Sequence, residues 1–298
     1  MRADAVLALA LAIGAIAPPA LAQPAAAQPA VGAFLNITPK RLTFDRGQRN
    51  GTVFLLNQGT GPVTVDIALV DRVMLPDGQI APVSEAAQRA EVKDVAASLK
   101  SARELLQVSP RRVTLLPGRP QTVRVRLSSL PDAAAGEHRS HLTVTTLPPP
   151  DTGVTAESAA AGGQPNELRF QITAVYGLSI PLIVRPSDAQ VGATLEGARV
   201  EYDDASNAAA TGRTAILALD VVRGGASSVY GNFEVRVVGA AKGAEPLGVA
   251  RGVGVYPEIS RRAVRIPLTR APAPGERLEV TFTDDDTSPG KVLAKVAL

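Results

Sequence analysis

The chain has 298 residues, a net charge of +3 at neutral pH, 3% aromatic residues and no cysteine. So few aromatic side chains leave nucleic acid without a stacking platform, and the slight excess of cations reads as a solvated surface. With no thiol, disulfides and cysteine chemistry are excluded; apolar cores must hold the chain, and its length predicts two domains.

Residues 1–22 carry Arg2, an apolar run from Val6 to Ala17, and Ala20-Leu21-Ala22 ahead of Gln23, the pattern of a secretory signal with a small-residue cleavage site. That run is too short to cross a bilayer, which takes about 20 residues, and no later segment is as long without charges, so export without stable membrane insertion is expected. Residues 23–32, QPAAAQPAVG, predict a flexible leader that builds no core.

From residue 33 onward short strands alternate with turns. Phe34 to Thr38 and Arg41 to Phe44 flank Pro39, which cannot donate to a ladder and predicts an edge or a switch between sheets. Gly51 to Leu56 follows, then Val63 to Val73 with Val65, Ile67 and Leu69 alternating, closed by the turn LPDG at 75–78. This spacing predicts a β-sandwich. Between Glu91 and Leu106, Val92, Val95, Leu99, Ala102 and Leu106 recur at helical intervals and predict one short amphipathic helix across an end of that sandwich. Strands resume at Leu105 to Ser109, Val113 to Leu115 and Thr122 to Leu127, the last with Val123, Val125 and Leu127 inward and Arg124 and Arg126 outward. After His141 to Leu147, residues 148–167 form a Pro/Gly-rich stretch without periodicity, and a loop so long within a domain is usually functional or disordered.

Asn166 to Pro186 organises the chain. Leu168, Phe170, Ile172, Ala174, Tyr176, Leu178, Ile180, Leu182 and Val184 alternate with residues such as Arg169, Gln171, Thr173 and Ser179. Period two over some seventeen residues exceeds the usual strand of about five or six. The run either pairs with more than one partner strand or offers one face to something outside its domain, and a long core strand explains it as well. Beyond Pro186, seven strand candidates between Ala193 and Thr283, with Lys291 to Leu298 as an eighth, predict a second sandwich. Ala215 to Asp220 is apolar on both parities and predicts a central strand there. The expected division is 33–186 and 187–298.

Little suggests catalysis. His138 and His141 are the only histidines; three residues apart on a strand, they face opposite ways and cannot converge on a metal. Ser140 lacks the G-x-S-x-G turn of a nucleophile elbow. Asp203-Asp204 and Asp284-Asp285-Asp286 read as solvated turns, the second run lacking the alternating spacing and fixed glycine of a calcium loop. Gly224-Gly225 and Gly252-x-Gly254 sit among strands, not ahead of a helix, so no phosphate loop is predicted. The chain reads as a non-enzyme without cofactor or metal.

Four motifs occur in order behind the signal sequence: ITPKRLTFDRG (37–47), LLQVSPRRVTLLPGRPQTVRVRL (105–127), AGEHRSHLTV (135–144) and YGLSIPLIVRP (176–186). Together they resemble the PapD-like periplasmic chaperones of pilus assembly, over nearly all of the first unit; the second matches only in size and β-content. The resemblance implies an all-β fold of two immunoglobulin-like sandwiches joined by a short linker at an angle, in the periplasm. It implies a chaperone that lends an alternating strand, about 166–180, to pilus or fimbrial subunits lacking their last strand, and hands them to an outer-membrane usher. Leu168, Phe170, Ile172, Ala174 and Tyr176 would fill the subunit's groove, and Arg41 would hold its C-terminal carboxylate. Arg185 matches a family arginine at the domain junction that pairs with carboxylates.

Two departures stand out. Pro181 occupies the position of a family lysine that also grips the carboxylate, and residues 170–184 hold no basic residue, which leaves Lys40, Arg185 or Arg41 alone to complete the anchor. Arg139 stands where a glutamate is common, with Glu137 two residues off. Self-dimerisation of the unloaded chain is left open. The alternative is an exported immunoglobulin-like surface or adhesive binding module using the same sheet edge.

Overall fold

The computed structural model describes residues 34–148, 175–203, 214–241 and 243–298. Period two builds the first sandwich. In β3 (Asn50–Asn57), Val53 and Leu55 turn inward while Thr52 and Phe54 face solvent. In β9 (Pro120–Leu127), Val123, Val125 and Leu127 lie inside and Arg124 and Arg126 outside, as the sequence predicts. With β1 (Leu35–Thr38) and β7 (Leu106–Ser109) these strands form one sheet in the order β1-β3-β9-β7. The facing sheet runs β2 (Leu42–Phe44), β11 (Gly177–Val184), β10 (His138–Thr146), β4 (Val63–Val70), β8 (Arg112–Leu115). The chain changes sheets at Pro39, whose bond with Thr38 is cis: β1 belongs to one layer and β2 to the other. Phe44, Leu55, Leu127, Leu142 and Leu182 are enclosed between the layers, and burying such a side chain contributes about 1.5–3 kcal/mol.

A detour between β4 and β7 corrects the sequence reading. β5 (Arg72–Met74) pairs with β6 (Ile80–Pro82), and two short helices, α1 (Val83–Ala86) and α2 (Lys93–Ser98), replace the single helix expected over 91–106. Leu99 is extended (φ −66°, ψ 123°) and ends α2. The apolar residues of that stretch serve two different cores. Val92 and Ala96 close a small cluster with Val73, Leu75, Ala81 and Ala86, whereas Ala102 and Leu106 belong to the sandwich. A helical interval between residues that pack into separate cores carries no helix.

The second sandwich sets β12 (Ala193–Asp203), β13 (Thr214–Arg223) and β16 (Arg261–Pro267) against β15 (Gly248–Val255), β14 (Val229–Val237), β17 (Leu278–Asp284) and β18 (Val292–Ala297). β13 is central in its sheet, and Ala215 to Leu219 are buried on both parities. Phe233 and Phe282 stack at 4.4 Å between ring centres in the middle of this core. Two buried residues from the first half also enter it, Met74 from the detour and Ile183 from β11, and Val95 of α2 packs against it. The connecting segment 185–192 is tied to the β13–β14 turn, with Gly224 N–H donating to Gly192 O (2.8 Å) and Ser227 N–H to Gln190 O (3.1 Å). The two sandwiches therefore meet through shared apolar packing as well as through the chain itself.

Candidate functional site

β11 is paired unequally on its two sides. Along one side β10 covers its whole length, from Thr145 opposite Gly177 to His138 opposite Val184. Along the other, β2 pairs in parallel only where Leu42, Thr43 and Phe44 meet Leu182, Ile183 and Val184. Among the described residues, the backbone of Gly177 to Pro181 has no strand on that side. An uncapped edge of this kind is a template for a further strand. Pro181 brings no N–H to it. Leu178, Ile180, Leu182 and Val184 face their own core, whereas Gly177 and Ser179 are exposed.

Tyr176 sits half-buried just ahead of β11. Its N–H donates to Thr146 Oγ1 (2.9 Å), and its carbonyl accepts from Thr146 N–H (2.8 Å). Leu168, Phe170, Ile172 and Ala174 lie outside the described residues.

Arg41 stands at the head of β2, where the open lane beside β11 ends. Its guanidinium lies over the Tyr230 ring, 4.2 Å from the centre, and one terminal nitrogen donates to Asp286 Oδ2 at 3.1 Å. Nε and the other terminal nitrogen are buried without a partner among the described residues. Of the other cations considered for the anchor, Lys40 turns to Asn36 Oδ1 (2.9 Å) on the surface, and Arg185 is committed elsewhere. Arg41 is the cation left with open donors beside the lane.

Arg185, directly after β11, binds three groups. Nε donates to Glu137 Oε2 (2.9 Å), and a terminal nitrogen donates to Asp286 Oδ2 (2.7 Å) and Ser228 Oγ (3.1 Å). Burial works against its charge, but the carboxylates of Glu137 and Asp286 outweigh it and raise its pKa. Glu137 also accepts from the backbone N–H (3.2 Å) and hydroxyl (3.1 Å) of Ser228. Glu137, set aside in the sequence as displaced, thus supplies the acidic partner. His138 opposes Val184, so one residue earlier in β10 stands beside one residue later than β11.

Arg139 forms a second buried link. It donates to Glu258 Oε1, which also accepts from Met74 N–H (2.9 Å), and its guanidinium lies 4.0 Å from the Tyr256 ring centre. Burial lowers the Arg139 pKa to about 10, still high enough to keep it charged at neutral pH.

Several further residues of this junction were not singled out in the sequence: Ser228, Tyr230, Tyr256 and Glu258. Asp286 was misassigned to a solvated turn. Only the acid run 284–286 offered a signal. Its members separate in the structure: Asp285 is exposed, Asp286 bridges two arginines, and Asp284 is buried. Burial alone would raise the Asp284 pKa, but hydrogen bonds from Thr287 Oγ1 (2.6 Å) and the N–H groups of Asp286 (3.0 Å) and Ser288 (2.7 Å) lower it. Neither histidine faces a site. His138 Nδ1 meets Gly136 O (3.0 Å), and His141 is enclosed, its pKa pushed to about 2 by burial and then by Arg139 and Arg72. Among the described residues no cluster of three or more His, Cys, Asp or Glu is arranged for a metal.

No protein-family model and no curated protein matches the chain. Among solved structures, the YadV chaperone is similar at 12% identity and a TM-score of 0.41, covering 89% of this chain and 100% of its own. The CupB2 chaperone of Pseudomonas aeruginosa is similar at 12% identity and a TM-score of 0.41, covering 88% and 97%. The CsuC–CsuE chaperone–tip adhesion subunit pre-assembly complex from Csu pili of Acinetobacter baumannii is similar at 14% identity and a TM-score of 0.40, again covering 88% and 97%.

Proposed function

We propose that this protein is a periplasmic chaperone that completes pilus or fimbrial subunits along the free side of β11 and delivers them to an outer-membrane usher. The observation that supports it is the open lane beside Gly177 to Pro181, ending at a largely buried arginine with unmet donors. Because β2 runs parallel to β11, a guest strand in the same lane and direction would bring its C-terminus to Arg41. A guanidinium holds a terminal carboxylate well and repels a terminal amine, which selects that direction. Upstream, Leu168, Phe170, Ile172 and Ala174 would continue the alternation beyond Tyr176 and fill the guest's groove, with main-chain hydrogen bonds supplied by the shared edge. With Pro181 in place of a lysine and Lys40 and Arg185 otherwise engaged, Arg41 grips the carboxylate alone. The domain division at 186/187 lets a carboxylate of the second unit, Asp286, hold the anchor from behind.

The test is co-expression in the periplasm with a candidate subunit from a neighbouring gene. The wild type should keep the subunit soluble and protease-resistant, and a Phe170→Asp, Ile172→Asp double variant should not. Arg41→Ala should weaken capture at least fivefold, the scale of ~1 kcal/mol for a lost charge-assisted hydrogen bond. A subunit equally protected by wild type and the double variant rules out strand donation and leaves an exported binding module.

A further inference from the structure

The outer face of the β1-β3-β9-β7 sheet has a charge pattern unlike that of the β12-β13-β16 sheet in the second sandwich. None of the residues in these four strands is acidic. Arg124 and Arg126 project from β9, and Arg111 stands just beyond β7; all three are exposed, and their side chains meet no partner among the described residues. On the β12-β13-β16 sheet, by contrast, exposed arginines are neutralised in place. Arg261 bonds Asp220 (2.8 Å) and Glu196 (2.5 Å), and Arg265 bonds Asp203 (3.0 Å) and Glu201. A chain that pairs its arginines on one surface leaves them bare on the other.

The bare arginines line a recess of about 650 Å³ with Thr52, Gln107 and Ser109. In register, Arg124 lies between Thr52 and Ser109, and Arg126 between Asn50 and Gln107. Each cation is therefore flanked by neutral amide or hydroxyl groups able to hydrogen-bond a backbone. Two residues apart on one strand face, the arginines stand about 7 Å apart, the pitch at which an extended chain presents every second side chain. A membrane surface fits this geometry less well, since a flat layer of headgroups does not enter the recess between the arginines as a single extended chain can.

We infer that this face binds an extended acidic polypeptide segment, with carboxylates at alternate positions seated on Arg124 and Arg126 and a third contact at Arg111. The inference is independent of the open edge at β11, which lies on the opposite sheet.

The test uses the full chain and a fluorescent peptide of alternating Glu and Thr, about ten residues long so that it spans a strand, read by anisotropy at low ionic strength. Binding should fall roughly fivefold for each of Arg124→Gln and Arg126→Gln, the fold-change that ~1 kcal/mol of exposed charge pairing represents. A peptide of the same composition with its Glu residues in one block should bind more weakly. Thermal unfolding of both variants should match wild type, since the residues are exposed. The proposal is overturned if the wild type ignores the alternating peptide, if the variants bind it unchanged, or if the block peptide binds equally. It is also overturned if phosphatidylglycerol vesicles bind as tightly and are lost with the same substitutions.

Discussion

Glu258 offers a direct measure of how strongly the two sandwiches are locked. The side chains of Arg139 and Glu258 are each 2% exposed, so their pair is screened far less by water and salt than a surface pair. In Glu258→Ala the Arg139 guanidinium stays buried and charged. The Tyr256 ring at 4.0 Å and two poorly placed His141 nitrogens at 3.4 Å remain beside it, Glu137 and Asp71 act on its charge without a hydrogen bond to it, and its Nε has no partner among the described residues. Removing one member of a buried pair costs about 3–5 kcal/mol, and the lost bond from Met74 N–H adds about 1 kcal/mol. Against a total stability of about 5–15 kcal/mol this is a large share, and the urea midpoint should fall steeply. The double variant Arg139→Met, Glu258→Leu should recover most of the loss, because an apolar pair of similar volume replaces the ion pair without stranding a charge. Equal losses in the single and double variants, or a single-variant loss below about 1 kcal/mol, would refute the buried-charge argument.

Two further outcomes follow from the same interior. His141 titrates far below its unfolded value of about 6.5, so below that pH the unfolded chain binds the extra proton; stability is full above it and should fall by about 2 kcal/mol between pH 6.5 and pH 5. Urea titrations across that range should show a shallower slope in His141→Gln, and an unchanged slope would clear His141. At the turn that fastens the inter-domain segment, a Cβ on Gly225 would collide with the backbone carbonyl of Gln190, so Gly225→Ala should lose about 1–3 kcal/mol by thermal unfolding.

Residues whose environment is set locally were legible from the sequence. Period two placed Val123, Val125 and Leu127 inside and Arg124 and Arg126 outside, because the two faces of a strand are fixed by the backbone alone. Pro39 announced its change of sheet for an equally local reason, the missing donor. Helical intervals in residues 91–106 misled because spacing does not say which core a side chain enters: Ala96 and Ala102 look alike in sequence and are buried in different clusters.

The junction was half visible, and the division is physical. Its cations, Arg41 and Arg185, belong to motifs of the first half that can be read along the chain. Their carboxylates can be found only once the strands are paired and the second sandwich is docked. Glu137 meets Arg185 because of the β10–β11 register, over a sequence separation of 48 residues, and Asp286 meets Arg41 over 245. Three identical aspartates at 284–286 meet three different fates, which no local pattern distinguishes. The same long-range pairing fixes Arg41. Tyr230 and Asp286 hold its guanidinium from the second sandwich while two of its nitrogens have no partner among the described residues, so in the carboxylate capture proposed above the arginine is already oriented. Side-chain ordering that a flexible surface arginine would still owe on binding has already been met in folding.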